Sequence, residues 1–299
     1  MALRRSVLLV GGDDEATQRR AITQGGADLV CLDLEDTVVP DRKPAARAQI
    51  ARLLAEDIWG RTARAYRINA ASTPWWRDDL LEVLRPARGR VDTVFLSKVD
   101  TPDDVRCVDE VLEQLTRELG LKHTIRMTVG IETAQALTAI DAIASASKRI
   151  ESLGFAIGDL STSLGVRVGP YLHNRALYPG DLFHFVKSRI NLAAKTNGLL
   201  SLDGPWPMIN DHATLAEDAR WGAMLGLDGK MALAIEQVRV IHEAYRPTEA
   251  ELTRARMLVQ KYEEAVAQGR GHGLVNGEFI DLVTLAHARD TISRSEAPL

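Results

Sequence analysis

Cysteine is almost missing from this chain, with two among 299 residues: Cys31 inside an apolar run and Cys107 inside a helical pattern. That excludes a disulfide framework and a thiolate metal cluster, and it suits a reducing cytoplasm. Long apolar runs are missing too. None approaches the roughly 18 to 20 residues that span a bilayer, so no membrane segment is expected. The short run Val7-Leu8-Leu9-Val10 follows basic residues, but Asp13, Asp14 and Glu15 stand where a cleavable signal would offer small neutral residues. It reads as a first strand. Blocks of one charge are also absent: Lys and Arg are spread along the chain and the net charge is −4, which leaves nucleic acid without a footprint. No Gly-x-Ser-x-Gly elbow, P-loop, strand-linked Gly-x-Gly-x-x-Gly or His-Glu-x-x-His occurs, so the mechanical parts of those chemistries are missing.

What is present is a regular alternation of short β-branched runs with longer amphipathic ones, the pattern of a parallel sheet covered by helices. Strands are predicted at 6–10, 28–33, 63–68, 93–97, 124–132, 152–157 and 199–203, with a faint eighth at 227–230. Helices are predicted between them at 15–25, 45–58, 75–85, 103–119, 134–147, 181–197 and 215–225. Thr101-Pro102-Asp103-Asp104 places a capping hydroxyl, a first-turn proline and first-turn acids in sequence. With 45% hydrophobic residues the chain can bury one large core. An α/β fold, a (β/α)8 TIM barrel over 1–246, is the expectation, since such barrels take about 250 residues. Past Pro247, Thr248-Glu249-Ala250-Glu251 opens a long helix with a capping box and no strand before it. Residues 247–299 are therefore expected to be a C-terminal helical extension or lid, interrupted by a glycine-rich loop from Gly269 to Gly277.

In a barrel the loops at the carboxyl ends of the strands carry the chemistry, and here those ends are polar. They read Asp33-Leu34-Glu35-Asp36, Arg67-Ile68-Asn69, Ser97-Lys98, Glu132, Asp159 and Leu202-Asp203-Gly204. So many charges on one rim must compensate one another or hold a cation and an anionic ligand. Glu132 and Asp159, each closing an apolar run, form a carboxylate pair suited to Mg2+, which binds one or two carboxylates and keeps positions for water and substrate oxygens. A 2-oxo acid fits those positions, with Arg67 forking onto its carboxylate. A carbon–carbon bond β to a carbonyl can then be cleaved or formed. Each residue also has a plainer reading. Glu132 can be an acid favouring a helix N-terminus, Asp159 a helix cap and Arg67 a counter-charge to the rim, while Lys98 either contacts the substrate or pairs with those acids. Asp33, Glu35 and Asp36 read either as a second shell orienting water and basic neighbours or as a salt-bridge scaffold.

In order along the chain, the motifs resemble those of the citrate lyase beta-subunit-like family, the group of Mg2+-dependent malyl-CoA and citramalyl-CoA lyases. The similarity runs from Arg5 to about Ala288. It rests on Ala27-Asp28, Asp33 to Asp36, Lys43, Ala46-Arg47, Arg67-Ile68-Asn69, Lys98-Val99, Ile131-Glu132-Thr133, Gly158-Asp159-Leu160, Asp203-Gly204, Gly226 to Lys230 with Gln237, and Pro247-Thr248. The resemblance implies a TIM barrel, Glu132 and Asp159 as Mg2+ ligands, Arg67 as binder of the oxo-acid carboxylate, and an acyl-CoA partner substrate. It also implies a trimer or hexamer in which the extension covers a neighbour's site. Asn276 to Asp281 looks like the segment whose aspartate serves as acid/base there, which makes Asp281 the candidate.

Several positions depart from the family pattern. Gly11-Gly12 replaces Pro-Gly, Ser97 precedes Lys98, Ala134 follows Glu132-Thr133, and Asp281 is followed by Leu282. Leu233-Ala234-Ile235 stands where Ile-His-Pro lies near the CoA arm. A CoA-independent oxo-acid aldolase or a malyl-CoA thioesterase on the same metal site therefore stays open, as does a noncatalytic subunit of a lyase complex.

Overall fold

Eight short parallel strands, each followed by helix, close into a barrel in chain order. They are β1 (Ser6–Gly11), β2 (Leu29–Asp33), β3 (Ala63–Ile68), β4 (Thr93–Leu96), β5 (Arg126–Ile131), β6 (Ile150–Phe155), β7 (Leu200–Asp203) and β8 (Gly229–Ala232). The computed structural model describes residues 4–167 and 182–296. The helices around the barrel are α1 (Glu15–Gln24), α2 (Lys43–Ala55), α3 (Trp76–Leu84), α4 (Pro102–Glu118), α5 (Ala134–Thr138), α6 (Ile140–Ala144), α7 (Ile157–Leu164), α8 (His184–Thr196), α9 (His212–Met224) and α10 (Ile235–Tyr245). Strands covered on both faces read as continuous apolar runs, as Leu29–Asp33 does, with all five residues buried. The eighth strand is faint in sequence because glycine and a buried lysine open it, and it lies two residues further on than expected. It pairs with both β1 and β7, which closes the ring.

Two of the expected helices need correction. Residues 134–147 form two short helices broken at Ala139, where the Thr138 hydroxyl bonds back to the Ala134 carbonyl at 2.9 Å and competes with helix continuation. The helix expected from Asp181 begins at His184 among the described residues, and Asp181 itself lies outside them. The capping box at Thr101 is present, with Asp104 answering the Thr101 backbone amide at 2.8 Å.

Side chains alternate across a strand, and that alternation divides the barrel into two worlds. Val7, Leu29, Cys31, Ala65, Phe95, Leu202 and Met231 pack together in its interior. Two residues on from Cys31 and Ala65, the same inward face carries Asp33 and Arg67, which the register sets side by side. Asp203, next to inward Leu202, falls on the opposite face. The structure thus corrects its expected place on the rim: it lies among Lys230, Lys187 of α8 and Asp218 of α9, between sheet and helices. Lys230 Nζ reaches Asp203 at 2.8 Å, Asp218 at 2.6 Å and the Gly204 carbonyl at 2.6 Å.

The described chain clusters into two compact units with the boundary between Ile241 and His242. The second contains α11 (Glu249–Ala267), β9 (Gly273–Val275), β10 (Glu278–Ile280) and α12 (Leu282–Ser295). Ala255, Leu258, Tyr262, Val275, Ile280, Leu285 and Ala288 give it a core of its own. The stretch expected as a glycine-rich loop instead contains an antiparallel hairpin, with Val275 opposite Glu278. Its turn residues Asn276 and Gly277 have φ of 51° and 83°, the left-handed pair that a two-residue hairpin turn requires. Among the described residues no helix is long and apolar enough to cross a membrane.

Lys230 answers both Asp203 and Asp218, and methionine in its place withdraws a buried positive charge from the wall of the barrel. Lys230→Met is expected to destabilise the barrel by about 3 to 5 kcal/mol, read as a lower urea midpoint; an unchanged midpoint would mean the cluster contributes nothing.

Candidate active site

Three charged residues from three strands meet on the inner face at the carboxyl end of the barrel. Asp33 is fully buried and takes both Arg67 Nε and Nη2 at 2.7 Å, a forked pair. Its carboxylate also accepts from the Thr37 hydroxyl at 2.7 Å and the Glu35 amide at 2.9 Å. Burial opposes ionisation of Asp33, but the Arg67 bonds outweigh it and hold the carboxyl below its usual range. One edge of the guanidinium is thus spent on Asp33. On the other edge, Nη1 lies 3.1 Å from Glu35 Oε2, an oxygen with no aligned hydrogen bond.

Glu132 follows β5 directly and is fully buried, yet neither of its carboxylate oxygens has a hydrogen-bond partner. Burial pushes its carboxyl up to about 8, against the attraction of Arg67. An acid in that state is waiting for a proton or a cation. Asp159 sits in the first turn of α7, half-exposed, with Lys98 Nζ 3.7 Å away. The same Nζ bonds Glu35 at 2.5 Å and Asp36 at 2.9 Å. Lys98 reaches them from a left-handed backbone, φ 48°, an uncommon conformation for a residue with a side chain. Burial works against the charge of Lys98, but the bonds to Glu35 and Asp36 win and raise its pKa. Burial raises Glu35, with Arg67 and Lys98 opposing, whereas Asp36, also penalised by burial, is lowered overall by Lys98.

The structure thus brings Asp33, Glu35, Asp36, Arg67, Lys98, Glu132 and Asp159 to one mouth. Asp281 belongs to the second unit, where it caps α12: its Oδ1 accepts from the amides of Val283 and Thr284, both at 3.0 Å. Those bonds, led by the Thr284 amide, lower its pKa and favour the anion.

Lys43, Arg47, Asn69 and Gln237 stand among the motifs that carry the resemblance, but the motifs alone do not reveal that they brace these groups. Lys43 Nζ holds the carbonyls of Leu34 at 2.7 Å and Glu35 at 2.9 Å, and so fixes the acidic loop. Asn69 donates to Leu34 O and to Asp79, which Arg47 holds at 2.7 Å. Gln237 ties Leu233 N to Trp206 O, linking the segments after β8 and β7. A basic residue a few positions past an acidic strand end was the available signal for Lys43.

Among the described residues no group of three or more His, Cys, Asp or Glu could enclose a metal ion. Those residues thus form no closed cage among themselves, whereas Mg2+ asks for only one or two carboxylates and hard oxygen donors. Glu132, orphaned and buried, and Asp159 beside it meet that demand.

An eight-stranded parallel barrel with an acidic, arginine-anchored mouth is the frame of many enzymes that act at the carboxyl ends of their strands. The family is narrower: residues 5–234 match the HpcH/HpaI aldolase/citrate lyase family, and the chain belongs to it. It is 30% identical over 284 residues to the L-malyl-CoA/beta-methylmalyl-CoA lyase of Rhodobacter capsulatus, covering 92% of this chain and 89% of that one. It is 29% identical over 294 residues to a (3S)-malyl-CoA thioesterase of Cereibacter sphaeroides, covering 98% and 95%. The CitE protein of Mycobacterium tuberculosis, solved in complex with magnesium, acetoacetate and coenzyme A, matches with a TM-score of 0.78 at 28% identity, covering 99% of both chains.

The raised pKa of Glu132 sets a sign for stability. Between the ordinary value of 4.5 and about 8, the folded chain keeps a proton that the unfolded chain has lost. The native state then binds more protons, so stability falls as pH rises through that window. In chelator, wild-type Tm should therefore decline from pH 4.5 to about 8 relative to Glu132→Gln, whose amide does not titrate. Parallel curves would mean that Glu132 ionises normally.

Proposed function

We propose that this protein is a Mg2+-dependent carbon–carbon lyase that cleaves or forms a hydroxyacyl-CoA such as malyl-CoA or citramalyl-CoA, giving a 2-oxo acid and an acyl-CoA. The observation that carries the reading is the Glu132 carboxylate, buried beside Arg67 with both oxygens unpartnered. Family membership and the lyases and magnesium complexes among the relatives support it. Glu132 and Asp159 would hold the ion, which when bound supplies Lewis-acid charge to the oxygens of the oxo acid.

The chain's own groups do the rest. Arg67, fixed by Asp33 through one edge and meeting Glu35 at Nη1, would give that second edge to the oxo-acid carboxylate in exchange for Glu35. Lys98, tied to Glu35, Asp36 and Asp159, screens the rim where an anionic substrate enters. Asp33, Glu35 and Asp36 hold those two cations in place. In the cleavage direction a base takes the hydroxyl proton, the carbon–carbon bond breaks toward the thioester, and a proton returns to the released carbon. The resemblance gives that base as Asp281, which the amides at the start of α12 hold as an anion with a proton still to accept.

Asp281 acting on a neighbour's barrel makes the working form a homo-oligomer, a trimer or hexamer. Exposed apolar residues around that segment, Leu274, Phe279, Leu282 and Val283, support a covering role for the extension. Two unpaired cysteines, Cys31 buried and Cys107 partly so, fit a cytoplasmic setting.

One observation favours a second reading, a malyl-CoA thioesterase. Leu233-Ala234-Ile235 departs from the lyase pattern, and a relative covering nearly the whole chain is named a thioesterase. The deciding experiment incubates the purified protein and Mg2+ with malyl-CoA, citramalyl-CoA and free 4-hydroxy-2-oxo acids, with and without chelator. Chelator-sensitive glyoxylate or pyruvate from a thioester is the expected outcome. Free malate with CoA would select the thioesterase, and turnover of the free acids alone would select an aldolase. Glu132→Ala and Asp159→Ala should each lower the Mg2+-dependent rate by at least about a hundredfold while the barrel stays folded, because each removes a direct metal ligand. Full turnover in either would overturn the metal site.

A further inference from the structure

A β-carbon built on Gly130 would lie 2.2 Å from Glu132 Oε1, 3.0 Å from its carboxyl carbon and 3.1 Å from the Leu96 carbonyl oxygen. Gly130 and Glu132 are two residues apart at the end of β5, so both face the barrel interior. The carboxylate lies folded back over the bare α-carbon. Nothing in the backbone demands glycine here, since Gly130 is not among the residues with positive φ. What matters is the missing side chain.

We propose that Gly130 is the positioning residue for Glu132: the space above its α-carbon sets where the carboxylate sits and thereby where a divalent cation can meet it. The proposal rests on the magnesium-site reading above. A neighbouring glycine gives the contrast. Gly154 pairs with Gly130 in the β5–β6 register, and a β-carbon there would meet Met231 Cε at 2.6 Å and Phe95 Cζ at 3.4 Å. Both glycines hollow the same level of the barrel, one for a carboxylate and the other for apolar side chains.

Alanine at 130 would push mainly on the far end of a side chain with three torsions and no hydrogen bond to lose. The Leu96 carbonyl needs to yield by only a few tenths of an ångström. The carboxylate moves while the fold stays. Alanine at 154 instead crowds Met231 and Phe95, so its cost falls on packing.

The test titrates MgCl2 alone into metal-free protein by calorimetry and follows Tm in chelator for wild type, Gly130→Ala, Gly154→Ala and Glu132→Gln. Gly130→Ala should weaken Mg2+ binding by about 10- to 100-fold, as displacing a ligand's support does, with Tm near wild type. Gly154→Ala should lower Tm and leave Mg2+ affinity unchanged. Wild-type affinity in Gly130→Ala, or equal weakening in both glycine variants, would overturn the positioning role. Glu132→Gln separates the two levels: if it loses Mg2+ and Gly130→Ala does not, only the positioning role fails. If Glu132→Gln binds like wild type, the metal-site reading fails and the positioning role falls with it.

Discussion

Arg67 is the one interaction centre on which the mouth of the barrel depends. Its guanidinium takes Asp33 through two bonds, lies against Glu35 and draws on Glu132. An arginine this deep survives only with its charge answered, and the register of β2 against β3 provides the answer by setting Asp33 opposite it. The compensation overshoots. Asp33, Glu35, Asp36, Glu132 and Asp159 gather around Arg67, Lys98 and Lys43, five carboxylates against three cations among the described residues. Fully ionised, the mouth lacks two positive charges, the charge of one divalent ion. The carboxyl that solvent cannot reach, Glu132, is the one pushed up, first by burial and then by Glu35 and Asp159, against Arg67.

Holding that imbalance needs a stiff frame. Lys43 clamps two consecutive carbonyls of the acidic loop, and its ammonium also sits 5.0 Å from the centre of the Trp75 ring. Asn69, Asp79 and Arg47 form a second buried chain that reaches the same Leu34 carbonyl. The loop is thereby fixed from both sides, which lets Glu35 and Asp36 present their carboxylates to Lys98 in spite of its uncommon backbone. Such strain persists only where the surroundings over-determine it.

Much of this was legible in the chain. Glu132 and Asp159 stand out because each closes an apolar run, and the barrel follows from the alternation of those runs with helices. Asp203 was misplaced because chain position alone assigns an acid at a strand end to the rim. Pleat parity relative to Leu202 is what turns it toward Lys230. The hairpin at 273–280 was hidden by the glycines before it, although Asn276-Gly277 between Leu274-Val275 and Phe279-Ile280 carries the two-residue turn signal. Gly130 gives no sign in a single sequence except its parity with Glu132, since its importance lies in an atom it lacks.

The two acids at the mouth differ in a way that bears on what an ion between them could do. Glu132 is dry and unpartnered, whereas Asp159 is half-exposed with Lys98 nearby. Environments that separate two carboxylates give them separate tasks. An ion held by both, as proposed, sits on the boundary between the barrel interior and solvent. Glu132 would bring it a carboxylate with no competing bond, and Asp159 one that solvent and substrate can reach. A fully enclosed site would bind the ion more tightly and leave nothing to react. Arg67 meets the problem from the substrate's side: Asp33 takes one edge of the guanidinium and Glu35 the other, so a substrate carboxylate would have to displace Glu35. The two halves of the site therefore differ: Glu132 offers oxygens with no bond to break, whereas Arg67 must trade one carboxylate for another.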